Sequence, residues 1–464
     1  MKSFGMFAAA ALVACETLSA QSPLPRAPHA SVAIVSQSGG RYSEPGIAIN
    51  PKDPNQIVAV YQGGASVQGT SNAVYSTDSG RTFTMAHGTK PADWKVAGDV
   101  STAFDNQGHA FLCYLTFDHL GTSSYWAHGA GRNGIFVRRS TDGGKTWDKE
   151  AVSIKSYPTG KEPGLQFEDE PRIFADNSPA SPHAGNLYVG WIEWQLTQSI
   201  ILFSRSADAG QTWSTPVRIS THAGLPRDDN GSVGGIVMAA APDGDLYAIW
   251  NDGNWITMTE SHDGGRTFAP SRPVVETAPP YFGEVPGVSR VEGFPQIAID
   301  PRAQGKLYIC WSDYRNGDID VFVASSADRG RAWSKPVRVN DDEIHNGKDQ
   351  FYQWMTVDPV SGALYVEFYD RRDDSKNRDA RITLARSTDG GSTFKNYVWS
   401  DKLFNPDGAF LGDYTWMAAY HDRVYAAWTE TVAKKPEPKN KRARNSSDPR
   451  PETVIVVGSA DFSR

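Results

Sequence analysis

Apolar residues along this chain fall in short runs, each bounded by Gly, Pro, Asn or Asp. Such runs predict strands, and no long stripe of apolar residues at helical spacing competes with them. One pattern recurs: a strand, a polar turn, then a second strand ending in aromatic residues. Phe294 to Asp300 (FPQIAID) followed by Lys306 to Trp311 (KLYICW) is a clear copy, and seven such hairpins start near residues 44, 98, 169, 233, 293, 351 and 412.

A second pattern, S-x-D-x-G-x-[TA]-[WF], occurs six times. The copies begin at Ser76, Ser140, Ser206, Ser261, Ser326 and Ser387, at intervals of 64, 66, 55, 65 and 61 residues. The motif reads as a clip between two strands. Its Asp accepts hydrogen bonds from backbone N–H groups of the turn, its Gly permits positive φ, and its Trp or Phe pins the turn to the sheet beneath. These aspartates are expected to be structural.

Hairpin plus clip gives four strands per unit, which is the composition of a propeller blade. The chain is therefore predicted to be all-β, a seven-bladed β-propeller over residues 31–464, with a six-bladed ring as the alternative. The seventh unit has a third strand, Thr453 to Ser459, and then only a truncated clip, Ser459-Ala460-Asp461. Its missing strand is available in Ser31 to Ser36, so the N-terminus is expected to complete the last blade and leave no open edge.

Composition adjusts this picture in three places. The net charge of −7 lacks the basic footprint of a nucleic-acid binder. At the N-terminus, Lys2 followed by an apolar run from Phe4 to Ala14 reads as an export signal, too short to span a bilayer. Cleavage after Ala20 would release a periplasmic or extracellular protein, whereas Leu12-Val13-Ala14-Cys15 would allow a lipid anchor on Cys15. Residues 21–30 then read as a linker. Cys113 and Cys310 sit in apolar strands of different blades and are expected to be buried free thiols.

The clipped repeat resembles the bacterial neuraminidase repeat, and from residue 31 to 464 the chain is similar to the sialidase-like propellers. The resemblance implies that first strands line a central channel. It also implies that the starts of those strands share the ligand face with the loops after the second strands, and that the clips lie opposite. At the strand starts stand Glu44, Asp99, Asp169 with Glu170, Glu292, Tyr352, and Asp413 with Tyr414. After the second strands come Asp118 with His119, Glu193, Asp252, Asp313 with Arg315, Asp370 with Arg371, and Glu430.

By the same resemblance, Arg172, Arg315 and Arg371 would clamp a substrate carboxylate, with Tyr352, Asp413 and Trp416 as further substrate contacts. Tyr414 would be the nucleophile, Glu170 or Glu292 its partner, and Asp99 or Asp118 the acid. The sequence departs from the family pattern at Pro171-Arg172-Ile173-Phe174, where Phe replaces an expected Pro and the motif lies in the third unit rather than the first.

The expected activity is glycoside hydrolysis of a terminal, anionic sugar by an exported, monomeric enzyme. A non-catalytic propeller binding glycan or protein is one alternative, and a polysaccharide lyase with His119 or Tyr414 as base is another. No cofactor is expected, although carboxylates at the channel mouth leave a structural calcium ion open. The segment 431–451 carries seven basic residues and reads as a solvated, disordered insertion.

Overall fold

The computed structural model describes residues 23–64, 69–89, 93–278, 282–288, 290–432 and 450–464. The segment expected to be an export signal, with Cys15, and nearly all of the basic insertion lie outside the described residues. Seven four-stranded antiparallel sheets form a ring, and no helix occurs among the described residues. The first strands of blades one to seven are Arg41–Ile49, Val96–Phe104, Phe167–Ala175, Val233–Ala240, Gln296–Ile299, Gln350–Val357 and Trp416–Tyr420. A two-stranded ribbon, Phe282–Gly283 with Val291–Glu292, is inserted between blades four and five.

The ring closes as the sequence predicts. Ser31–Ile34 pairs antiparallel with Thr453–Asp461, so blade seven takes its outer strand from the N-terminus. Two details differ from expectation. Ala460 and Asp461 continue the strand instead of beginning a clip. The predicted linker also docks: Ala27 is buried, and it and Pro25 exchange backbone hydrogen bonds with Val398 of blade six.

Each clip has one geometry. In all six, the Gly amide donates to the Ser Oγ at 2.9 Å, and that hydroxyl donates to the Asp carboxylate. The Asp in turn accepts from the backbone N–H four residues on, as Asp142 does from Thr146 at 2.9 Å. The serine, whose role the motif alone does not reveal, thus links Gly to Asp. A Cβ at Gly144 would collide with Val58 of blade one, so the second Gly also lets a clip seat on the preceding blade.

Cores lie between neighbouring blades. Tyr42, Ile47 and Val74 of blade one pack with Tyr425, Ile455 and Val457 of blade seven. One aromatic occupies the same register position in every second strand: Tyr61, Tyr114, Trp191, Trp250, Trp311, Phe368 and Trp428, each fully buried. Their burial stabilises the ring by on the order of 3 kcal/mol each. This explains the aromatic ends of the hairpins seen in the sequence. Cys113 and Cys310 are buried free thiols.

Candidate active site

The site grows out of an irregularity repeated from blade to blade. In five first strands the register slips, between Ser43 and Gly46, Gly98 and Ser101, Asp169 and Arg172, Gly234 and Val237, and Phe351 and Trp354. At each slip one residue adopts positive φ: Glu44 (52°), Asp99 (48°), Glu170 (49°), Gly235 (68°) and Tyr352 (51°). Bulges re-aim side chains. A non-glycine residue held there is strained by about 1 kcal/mol or more, a feature that clusters at functional sites. By register, Phe294 and Tyr414 hold the same position in blades five and seven.

Three of these positions are acids, and they meet. A cavity of about 290 Å³ opens at the strand-start end of the channel, with Glu44, Asp99, Asp169, Glu170, Asp228 and Asp413 in its walls. Gln62 and Phe117 near the ends of second strands, and Trp126 in the loop after one, help to complete it with Arg41 and Arg290. The clips sit at the other end of the blades, against the turns joining first and second strands, as Ser79 does on Asn55. The column reading of the sequence is thus correct in outline.

Arg290 organises the floor. It donates from Nε to Asp413 at 2.8 Å and again from Nη2 to the other oxygen of Asp413, and from Nη1 to Asp228 at 2.7 Å. Glu292 lies 3.1 Å from its Nε and is buried behind the cavity. Carboxylate oxygens of Glu170, Glu292 and Asp413 all lie within 4.8 Å of one another. Three carboxylates this close could hold a hard cation such as calcium, but Arg290 already supplies positive charge to two of them.

Burial dominates the electrostatics. It pushes the carboxyls of Glu44, Asp169, Glu170 and Glu292 well above the usual range, and neighbouring carboxylates push each further. Burial likewise raises Asp228, against the pull of Arg290. Asp169 is also held by the indole N–H of Trp194 at 2.8 Å. Carboxyls raised by burial beside one paired with a guanidinium are the kind of arrangement acid–base chemistry uses.

The predicted residues divide into three groups. Asp99, Glu170 and Asp413 line the cavity together, with Glu292 directly behind them. Arg172, Tyr414, Tyr352 and Trp416 are not among the residues that line the cavity. The Arg172 guanidinium stacks 3.6 Å from the centre of the Tyr414 ring, the Tyr414 hydroxyl donates to the Val100 carbonyl at 3.1 Å, and Tyr352 donates to the Arg290 carbonyl at 2.6 Å. Asp118, Arg315 and Arg371 are elsewhere.

The carboxylate clamp is therefore not assembled, and local pairing explains why. Asp118 binds Arg132, and Arg315 doubles back on Asp313 two residues before it. Arg371 is fully buried on the carbonyls of Pro286 and Asn377, where burial pulls its guanidinium down to about 10. His119 contacts the Gly129 carbonyl away from the cavity. Sequence reasoning missed Arg290 and Asp228, which arrive on loops preceding blades five and four. The one available signal was the alternation Arg290-Val291-Glu292, which puts both side chains on one side of a strand.

The family model for the BNR repeat-like domain matches residues 33–292. No curated protein matches the chain significantly. Among solved structures, a protein of unknown function from Dyadobacter fermentans is 15% identical, with 94% of this chain and 99% of that one covered and a TM-score of 0.48. A Hadza microbial sialidase is 17% identical over 86% of this chain and 74% of its own, with a TM-score of 0.45. An α-L-arabinofuranosidase of Fusarium graminearum is 13% identical over 78% and 96%, with a TM-score of 0.49. The matched model spans more than half of the sequence and agrees with the repeat read from it, so the chain belongs to the BNR repeat-like domain family.

Proposed function

We propose that the protein is a glycoside hydrolase whose reacting groups are Glu170 and Asp413. The observation that carries this reading is their pairing: carboxylate oxygens within 4.8 Å, both in the cavity wall, in opposite environments. Burial keeps Glu170 protonated, the state needed to protonate a leaving glycosidic oxygen. Asp413, gripped on both oxygens by Arg290, is the group placed to attack the anomeric carbon or to stabilise an oxocarbenium-like transition state. Carboxylate oxygens no more than 4.8 Å apart belong with the closely spaced class of glycosidase, which favours retention of anomeric configuration.

The substrate is not an acidic sugar in this reading. The cavity walls hold six carboxyls, and Arg290 is committed to three acidic partners. An incoming carboxylate would have to compete with Asp228, Glu292 and Asp413 for Arg290. The N-terminal apolar run supports action outside the cytoplasm, on extracellular or periplasmic glycan.

A panel of 4-nitrophenyl glycosides tests the proposal. At least one neutral or amino-substituted glycoside should be hydrolysed, with retained configuration by proton NMR. Glu170→Gln and Asp413→Asn should each lower kcat by at least about a hundredfold. Turnover that survives both substitutions would remove these residues from the mechanism.

A further inference from the structure

Across the cavity from Arg290 lies a carboxyl that the proposed reaction does not use. Glu44 is 1% exposed and stands at positive φ on the first strand of blade one. It lies beside Asp99 in the cavity wall, and its Oε2 has no hydrogen-bond partner among the described residues. A buried carboxylate oxygen without a donor loses several kcal/mol of hydration with no return. The side chain that hydrogen-bonds Glu44, Asp99, is itself an acid and offers no positive charge. Asp99 and Asp413 both press against its ionisation, and Arg290, the cation that reaches it, is already shared among Asp228, Glu292 and Asp413.

The backbone holds Glu44 in this position. The strained conformation at residue 44 is one of five repeated around the ring, so the side chain is aimed by the blade itself. Gly412 has positive φ, and a Cβ there would run into Glu44 Cγ at 2.7 Å and Glu44 N at 2.7 Å. The chain thus comes as close to Glu44 from behind as a glycine permits, which leaves the cavity as the open side. Asp99 is fixed in turn by Gln62, whose side-chain oxygen accepts from the Asp99 amide at 2.9 Å.

We propose that Glu44 and Asp99 form a cation subsite that receives the protonated primary amine of an amino sugar. This rests on the glycosidase reading of the same cavity and narrows its substrate class to 2-amino-2-deoxy sugars with a free amine. An ammonium group brings three N–H donors and a full positive charge on a small tetrahedral centre. It satisfies the orphaned oxygen of Glu44, bridges to Asp99, and leaves the sugar ring to reach Glu170 and Asp413. An N-acetyl group would take away the charge and two of the donors. A neutral hydroxyl would supply one donor and no charge.

Calorimetric titration at pH 6.5 with D-glucosamine, N-acetyl-D-glucosamine, D-glucose, methylamine and calcium chloride tests this on the wild-type protein. Glucosamine is expected to bind at least tenfold more tightly than each of the other three organic ligands. Glu44→Gln and Asp99→Asn should each collapse the preference for glucosamine over N-acetylglucosamine towards unity, in protein shown to be folded by its melting transition. Equal binding of the amine and its acetamide by the wild type would overturn the proposal, without need of either variant. So would calcium binding that depends on Glu44 in the absence of amine binding. Methylamine binding as tight as glucosamine would overturn the sugar assignment. Hydrolysis of neutral glycosides with no preference for the amine would sink the subsite and leave the hydrolase reading standing. Selective amine binding with no hydrolysis of any glycoside would do the reverse.

Discussion

Arg290 and Asp413, 123 residues apart in the chain, meet in a two-pronged ion pair at the floor of the central cavity. One comes from the loop before blade five and the other from the approach to blade seven, so the contact reaches past blade six to tie parts of the ring two blades apart. Replacing Arg290 with Gln should strand three buried acids, Asp228, Glu292 and Asp413. Breaking a fully buried pair costs roughly 3–5 kcal/mol, but the Arg290 side chain is 31% exposed, so a loss of about 2 kcal/mol is expected in urea denaturation. Adding Asp413→Asn should recover part of it. A double variant no more stable than the single one would show that the pair is not the coupling.

Glu170 sets the alkaline limit of the proposed activity. Its carboxyl is raised first by burial, and only its protonated form can serve as acid. The rate kcat/KM should therefore fall as pH rises through that raised value. Glu170→Gln should flatten this limb in the pH profile of any substrate whose leaving group needs no proton. A limb that persists unchanged in the variant belongs to another residue.

Stability should peak on the mildly acidic side. Glu44, Asp169, Glu170 and Glu292 hold protons more tightly folded than unfolded, where carboxyls titrate near about 4. Their contribution is complete below that value and is lost as pH rises through the raised values. The clip aspartates act oppositely. Hydrogen bonds from Thr82 hold Asp78 at about 2 and those from Thr393 hold Asp389 at about 2, so their contribution is present above about 4 and is lost as pH falls towards 2. Melting temperatures measured across pH 3 to 9 should pass through a maximum between about 4 and 6. A maximum at pH 8 or above would contradict the protonated state assigned to the cavity acids.

The serine of each clip should matter more than its conservative appearance suggests. Ser206 Oγ is buried and joins the Gly210 amide to Asp208. Ser206→Ala leaves that amide without an acceptor and should lower stability by about 1–2 kcal/mol, with glycoside turnover unaltered. Thermal denaturation and a turnover assay on the same sample check both halves.

Much of this molecule could be read from local signals, because the repeat writes them seven times. The alternation around Tyr308 and Trp311, the clip glycines and the spare strand at Ser31 are each short-range patterns with a single physical solution. Acids at strand starts, such as Asp99 and Glu170, were legible for the same reason. Arg290 was not, since its role depends on a loop folding over the channel to reach Asp413 and Asp228. Arg315 and Arg371 misled because sequence position sets the face a residue approaches, whereas a neighbour two residues away, such as Asp313, decides where a guanidinium ends up. Tyr414 was placed correctly in its column, but the stacked Arg172 and the Val100 carbonyl, both distant in sequence, keep its hydroxyl away from the cavity.

The pairing of Ser31–Ile34 with Thr453–Asp461 gives the molecule a clasp whose halves are far apart in the sequence. Ser31–Ile34 must wait, unpartnered, until Thr453–Asp461 has been made, so the ring closes only by a contact between segments far apart in sequence. Until that pairing forms, blade seven keeps an open edge.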